Sequence, residues 1–540
     1  MIVELHSKSD RTCATGYARG PCKTGLTGFL LCAVGAIGLP AQTFSTLHSF
    51  DLTDGAGPQA ALIQGTDGNF YGTTTEGGNN AATCTPLTGT TCGTIFKISP
   101  AGTLTTLYEF CAQSGCPDGS YPVAALVQSI NGDFYGTTLF GGNDLYQGDG
   151  CGTIFTITPG GALTTLYTFC AQNGHTDGDS PMGLIQAIDG YFYGTTENGG
   201  SPCYVYAYGG CGTVFKMTPS GTKMTIYSFC TQSLNCPDGY YPSAGLVQST
   251  NGDFYGTTVG GGAVNRPCAG EPNFMGCGTV FKISPSGTLT TLHEFCSQAG
   301  CADGAFPFAG LVQATNRDLY GTTLEGGANG KGTVYKISQN GELNTLYSFC
   351  SRGGSNCTDG AGPEAGLVQA TDGNLYGVTL GGGANGDGTI FEITPGGALT
   401  TIYNFCSLSG CADGVGPAAA LIQGTNGNLY GTTLYGGLSS NCNPSQSYAG
   451  CGTIFRLAVG LGPFVKTLPP SGKVGRHVKI LGTDLAGVTS VSFNGTAAVF
   501  NVKSASEITT TVPTGATSGT VEVVTPGGTL SSNVAFRVLP

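Results

Sequence analysis

The sequence contains no tryptophan, and charged residues fill only 10% of its 540 positions, against a typical quarter or so. Its 20 Lys and Arg are outnumbered by 32 Asp and Glu, for a net charge of −12. Nucleic acid and anionic lipid both need clustered cations, so neither is an expected partner. Long apolar runs are scarce as well, and membrane insertion of the mature chain is not expected. What replaces these residues is 93 Gly and 27 Pro, about 22% of the chain and nearly twice the usual share. Helical folds do not tolerate glycine at that density. Disorder is excluded by 40% apolar content with 24 Tyr and 27 Phe, and collagen by the absence of glycine at every third position. A turn-dense, all-β protein remains.

The first residues differ in kind. Arg11, Arg19 and Lys23 precede LTGFLLCAVGAIGL at 26–39, then Pro40 and Ala41. A short apolar run behind basic residues and before a small one suits a signal peptide over 1–41, cleaved near Ala41; an uncleaved anchor is the alternative. The expected location is therefore secreted, extracellular or at the cell surface.

Self-similarity sets the architecture. Tyr-Gly followed by Thr-Thr or Val-Thr recurs at Tyr71, Tyr135, Tyr193, Tyr255, Tyr320, Tyr376 and Tyr430, at spacings of 64, 58, 62, 65, 56 and 54 residues. Each copy holds four runs with strand character. In the sixth these are GLVQAT, NLYGVTL, GTIFEIT and ALTTIYNF, with Asp372-Gly373 between the first two and Pro395-Gly396-Gly397 between the last two. Asn-Gly or Asp-Gly fills the first turn in six copies, Asn316-Arg317 being the exception, and predicts a type I′ hairpin. Four-stranded meanders repeated seven times predict a β-propeller over 43–459. The ends agree: the seventh copy stops after GTIFRLA without a fourth strand, and the chain opens with TFSTLHSF, a fourth strand without the other three. Pairing them closes a seven-bladed ring; an open solenoid gives no reason for the split. From 463 to 540 the repeat is absent, and short alternating strands suit a small β-sandwich.

With LVQ, DGNLYGTT, GTIFKI and TLYSF in fixed order, the repeats resemble the GloVer tandem repeat of exported bacterial proteins. The C-terminal stretch, with LPPSGKVGRHVKILGTDLAGVTSVSFNG and VPTGATSGTVEVVTPGG, is similar to IPT/TIG domains. That second resemblance implies an Ig-like spacer or adhesive module and carries over no catalytic residue.

Twenty cysteines follow the signal, an even number that favours disulfides in an exported chain. One set lies in the loop after the fourth strand: Cys111/Cys116, Cys230/Cys236, Cys296/Cys301, Cys350/Cys357 and Cys406/Cys411. The other precedes GTIF: Cys84/Cys92, Cys203/Cys211, Cys268/Cys277 and Cys442/Cys451. Pairs come and go as units, so pairing is local; four-cysteine zinc sites in copies one, three and four are the rival. The second copy keeps one cysteine in each loop, and folding its hairpin about Gly160-Gly161 sets Cys151 opposite Cys170 as a further disulfide. In a meander both loops lie on one face, where ligand binding is expected.

Asp-Gly-x-x-Pro recurs in all seven copies, at Asp54, Asp118, Asp177, Asp238, Asp303, Asp359 and Asp413. A cation-binding ring of carboxylates is the sharper reading; a turn in which Asp caps itself, Gly takes positive φ and Pro starts the inner strand is the plainer one, favoured because all copies share it. By the same logic the repeated Tyr packs, with its hydroxyl bonded between blades. Function is expected where the copies differ. The residue before Gly-Gly varies, and Glu76, Phe140, Asn198, Glu325 and Tyr435 are the candidate ligand-binding residues. No Gly-x-Ser-x-Gly, HExxH, P-loop or EF-hand pattern occurs, so no catalytic residue, metal or cofactor is expected. The reading is a non-catalytic binding or surface-interaction protein, its partner a glycan or a cell-surface protein. A carbohydrate-active enzyme using funnel carboxylates and a structural unit of an envelope assembly are the alternatives.

Overall fold

The computed structural model describes residues 42–79, 92–113, 115–142, 150–200, 203, 210–231, 236–262, 267–268, 271–353, 356–442 and 450–540. The signal-peptide reading and Cys84 lie outside them. No helix among the described residues is long and apolar enough to cross a membrane.

The first copy shows how sequence becomes sheet. Strands β2 (Ile63–Gln64), β3 (Phe70–Thr74), β4 (Thr94–Ile98) and β5 (Leu104–Glu109) pair in that order, antiparallel throughout. β3 is buried on both faces, so its aromatic and β-branched residues form one continuous run instead of alternating with polar ones. β5 is half-buried along its length, with Thr105 exposed. Among the described residues seven such four-stranded meanders occur. In the seventh, the fourth position is taken by β1 (Thr43–Ser49), which pairs with Thr453–Ala458 from Thr43 opposite Ala458 to Ser49 opposite Thr453.

Two local expectations need correction. GLVQAT does not form a full inner strand: only the Val/Ile-Gln pair joins the ladder in six copies. The third copy is the exception, with Asp179–Gln186 paired along its length. The first turn is also not type I′. Gly68 has φ 85°, but Asp67 is absent from the positive-φ residues; its Oδ1 accepts the Asn69 N–H at 3.1 Å. A four-residue turn closed by Gly68 N–H to Gly65 C=O results, and in the fifth copy Arg317 takes the glycine's place at φ 72°.

Neighbouring sheets meet through three repeated contacts. The Phe that ends each fourth strand stands edge-on to the ring at the centre of the next copy's third strand: Phe110 to Phe155, Phe349 to Phe391 and, from the seventh copy to the first, Phe50 to Phe96, with centroids 5.2–5.3 Å apart. The Gln of LVQ accepts an amide of the preceding copy: Thr66 N–H to Gln128 Oε1 at 3.0 Å, Thr315 N–H to Gln369 Oε1 at 2.8 Å, and Thr425 N–H to Gln64 Oε1 at 2.9 Å, again last to first. The Tyr ring of Tyr-Gly-Thr stacks across copies, Tyr71 on Phe134 at 4.1 Å, but its hydroxyl does not bond between them. Tyr71 donates to Asp67 in its own turn at 2.8 Å, and Asn251 and Asn426 donate to Tyr255 and Tyr430 likewise.

The C-terminal residues form two four-stranded sheets around one core that includes Val478, Ile480, Phe493, Val521 and Val523. They rest on the turn ends of the repeats: Ser506 Oγ donates to Thr66 C=O at 3.1 Å, Thr425 and Thr483 hydroxyls bond at 2.8 Å, and Arg537 donates to Thr250 C=O. At the junction Lys466 Nζ donates to Gln423 C=O at 2.6 Å, and burial draws its pKa down to about 8.

One buried cation breaks the pattern. Lys223 stands where other copies have Leu104, Leu163, Leu289, Leu343 and Leu399. Its ammonium donates to Asp177 C=O and lies over the Phe169 ring at 5.0 Å; burial pulls its pKa down to about 8. An unfolded lysine titrates near 10.4, so between about pH 8 and pH 10.4 the unfolded chain binds more protons and stability rises with pH. Lys223→Leu is expected to stabilise the protein at pH 7 by on the order of 1 kcal/mol. It should also flatten part of the alkaline rise, Lys466 supplying the remainder. Thermal melts at pH 7 and pH 10 check this; an unchanged alkaline rise refutes it.

Candidate functional site

Both cysteine-bearing loop types emerge at the end of the sheets opposite the tight turns, and the repeated carboxylate anchors each copy there, buried in all copies but the first, where Asp54 is half-buried. Asp413, fully buried, accepts the Tyr403 hydroxyl at 2.7 Å, the Ser407 N–H at 2.9 Å and the Leu408 N–H at 3.1 Å. In the first and fifth copies a histidine replaces the tyrosine: His48 Nε2 to Asp54 at 2.7 Å and His293 Nε2 to Asp303 at 3.1 Å. The repeated Asp therefore ties the preceding loop to the fourth strand instead of capping its own turn. Its glycine does take positive φ, 141° at Gly55 and 101° at Gly414. No carboxylate ring results: among the described residues, none of the seven belongs to a group of ligand atoms within 4.8 Å. Burial pushes the Asp303 and Asp359 carboxyls up, yet hydrogen bonds from His293 and Ser297, and from Tyr347 and Ser351, hold both below the usual range.

Disulfides staple these loops. The structure joins Cys111–Cys116, Cys230–Cys236, Cys296–Cys301, Cys350–Cys357 and Cys406–Cys411 after fourth strands. It joins Cys203–Cys211, Cys268–Cys277 and Cys442–Cys451 before third strands. Cys92 is disulfide-bonded, and Cys151 is joined to Cys170 across the hairpin with Cα atoms 5.9 Å apart. The sulfurs of Cys92, Cys111 and Cys116 do crowd within 4.8 Å, as do those of Cys203, Cys211 and Cys230, but a disulfide sulfur is not the thiolate that zinc requires.

The variable positions sit at equivalent places, each bridged to the residue after an Asp-Gly: Glu76 to Ala56, Phe140 to Ser120, Glu325 to Ala305 and Tyr435 to Val415, while Asn198 pairs with Asp179. Three of the five converge on a residue that sequence reasoning missed. Tyr121, held at φ 60°, has its ring 5.8 Å from Phe140, and its hydroxyl bonds the Thr75 side chain within electrostatic reach of Glu76 and Tyr435. Burial raises the Tyr121 phenol and the Glu76 carboxyl. The cluster draws on the seventh, first and second copies. Asn198 and Glu325 pair within their own copies instead. Tyr121 was legible only by comparing the x positions of Asp-Gly-x-x-Pro, where it stands against Gly57, Gly362 and Gly416.

The Gloeobacter/Verrucomicrobia repeat model matches residues 34–208, 180–444 and 355–479. The chain belongs to the Gloeobacter/Verrucomicrobia repeat family. An IPT/TIG domain matches residues 463–538. A search among curated proteins gives no match. Among solved structures, this repeat protein is similar to a fungal alcohol oxidase of the AA5 family in complex with copper, at 12% identity over 93% of this chain and 99% of that one, TM-score 0.49. It is similar to PorZ, a surface component of the type-IX secretion system of Porphyromonas gingivalis, at 13% identity over 88% and 58%, TM-score 0.42. A third is the PQQ-bound aldose sugar dehydrogenase of Streptomyces coelicolor, at 13% identity over 62% and 92%, TM-score 0.34. At these values no chemistry carries over. The Gloeobacter/Verrucomicrobia repeats, the IPT/TIG domain and the many disulfides fit an extracellular surface or binding protein.

Proposed function

We propose that the chain is a secreted, non-catalytic binding protein built as a closed seven-bladed propeller over 43–459, with an Ig-like module over 463–540 on the face opposite its ligand. Closure is supported by contacts that run from the seventh copy to the first as between any other neighbours: Phe50 on Phe96, Thr425 on Gln64, and the Thr432 hydroxyl on Pro58 C=O at 3.0 Å. A Cβ on Gly452 would come within 2.7 Å of Pro58 Cδ, the same tight fit that Gly93 makes with Pro122.

The observation that carries the binding role is the convergence of Tyr121, Phe140, Tyr435 and Glu76 from three copies on the stapled face. Flat rings beside a carboxylate suit a glycan, whose C–H faces stack and whose hydroxyls donate. A panel of glycans and polysaccharides, assayed for binding and for hydrolysis, tests this. Tyr121→Ala and Tyr435→Ala are each expected to weaken binding about tenfold or more with folding intact. No binding by the native chain, or binding indifferent to both variants, overturns the reading. The enzyme alternative has one supporting observation, the neighbouring carboxyls of Asp179 and Glu197, both raised mainly by burial. Hydrolysis lost on Glu197→Leu would favour it.

A further inference from the structure

Two disulfide patterns occupy one pair of columns in the repeat. The residue before GTIF or GTVF is Cys92, Cys151, Cys211 or Cys277 in the first four copies, and the residue after the Phe that ends the fourth strand is Cys111, Cys170, Cys230 or Cys296. The two columns are always 19 residues apart, and the second always has left-handed backbone, φ 57–62°. The strands between them keep one register, with Thr153 opposite Thr168 as Thr213 is opposite Ser228 and Thr279 opposite Glu294. In the second copy the columns bond to each other, Cys151 to Cys170. In the third and fourth they bond to loop partners instead: Cys211 to Cys203 and Cys230 to Cys236, then Cys277 to Cys268 and Cys296 to Cys301.

Loop bonding leaves the columns in reach of each other. The sulfurs of Cys203, Cys211 and Cys230 lie within 4.8 Å of one another, and so do those of Cys277, Cys296 and Cys301. Two disulfides this close, on the register that carries the second copy's bridge, are poised for exchange of partners. Tyr241, whose N–H donates to Cys211 C=O at 3.0 Å, packs against all four cysteines of the third copy and joins them into one cluster. Within it only Cys203 shows surface, 9% exposed against 0% for Cys211, Cys230 and Cys236. A reductant therefore meets Cys203 first.

We propose that the two disulfides of the third copy form a thiol–disulfide exchange site, which a dithiol reductant converts to the pairing of the second copy. A thiolate of the dithiol attacks Cys203 Sγ, the Cys203–Cys211 bond breaks, and Cys211 leaves as thiolate. Cys211 then attacks Cys230 Sγ, and Cys236 leaves as thiolate. The second sulfur of the dithiol closes on the first and releases Cys203. Two disulfides and one dithiol thus give a Cys211–Cys230 disulfide, the oxidised dithiol, and thiols at Cys203 and Cys236 that take up the two protons of the dithiol. The new bridge joins positions that paired strands already hold, whereas each loop bridge bears the entropy of closing its own segment. Both loop bridges on the stapled face open in one event while the strands beneath stay joined. The site does not depend on the glycan reading and stands if no glycan binds.

The test treats the oxidised full chain with limiting dithiothreitol, quenches in acid, caps the thiols at low pH, and maps the remaining bridges by mass spectrometry without further reduction. Chains with two capped cysteines in the third copy are expected to carry the caps on Cys203 and Cys236 and to show a Cys211–Cys230 bridge. Caps on Cys203 and Cys211 with Cys230–Cys236 intact, or the reverse, overturn the proposal, as does a third copy that keeps both loop bridges in excess dithiothreitol. The double variant Cys203→Ala/Cys236→His recreates the second copy, where His175 fills the latter column with φ 54° beside 42° at Cys236. It should form Cys211–Cys230 with no reductant, and free thiols at both positions overturn the proposal as well. Should that variant fail to fold, the bridge map of the native chain decides alone.

Discussion

A chain lacking residues 43–50 is expected to lose the cooperative unfolding transition of the whole repeat array, not just of the sheet it shortens. Those residues supply the entire outer strand of the seventh sheet. Phe44 stacks on Tyr403 at 4.0 Å and packs against Phe405 and Phe455, and Phe50 is fully buried against Phe96. Removing one buried Phe typically costs about 3–5 kcal/mol, so losing Phe50, the half-buried Phe44 and the paired edge together reaches the about 5–15 kcal/mol of a whole domain. Near-UV circular dichroism during heating checks this. A truncated protein that melts like the full chain would refute the closed ring; supplying the missing strand as a peptide should restore the transition if the ring is right.

Asp303→Ala is the single substitution expected to cost most, about 3–5 kcal/mol, because it strips a fully buried acceptor from the His293 ring, the Ser297 N–H and hydroxyl, and the Gln298 N–H. His293→Tyr is the control: five other copies carry Tyr there, and it should change stability by less than about 1 kcal/mol. The acid limb provides a second readout. Burial pushes the Asp303 carboxyl up, but His293 and Ser297 hold it below an unfolded aspartate, so its contribution is complete above about pH 4 and disappears as pH falls through the folded value. Urea titrations at pH 7 and pH 3 should therefore show the two proteins drawing closer in stability at the lower pH. A gap that widens instead, or a cost under about 1 kcal/mol at pH 7, would mean that the loop finds other acceptors.

The sheets were legible because each strand is a short β-rich run between glycine or proline turns, and the split repeat foretold that β1 pairs with Thr453–Ala458. Long-range polar bonds were not. The Gln of LVQ recurs in all seven copies inside an otherwise apolar run, which was signal enough, yet its partner amide lies in the previous copy and no spacing along the chain reveals it. The tyrosine hydroxyl bonds within its own copy because Asp67 and Tyr71 stand four apart across a turn, a local partner that the shared-scaffold argument overlooks. Glu76, Phe140 and Tyr435 were found by asking where the copies differ. Tyr121 answers the same question at the residue before the proline of Asp-Gly-x-x-Pro, a column that holds Gly57, Gly362 and Gly416 but also Tyr241 and Phe306.

The bond from Arg456 to Ser45 joins residues 411 apart in the chain, and the hydroxyl of Thr432 reaches Pro58 over 374. Contacts of that span form late, since loop closure must precede any reward for them. While the chain is being synthesised, the outer strand made first must wait unpaired until the last copy emerges. Disulfides that span five to nine residues can meanwhile lock loops as they appear in every copy but the second, whose Cys151–Cys170 bridge spans 19. Refolding should thus show fast local phases and one slow final step, with the aggregation risk concentrated in the interval between them.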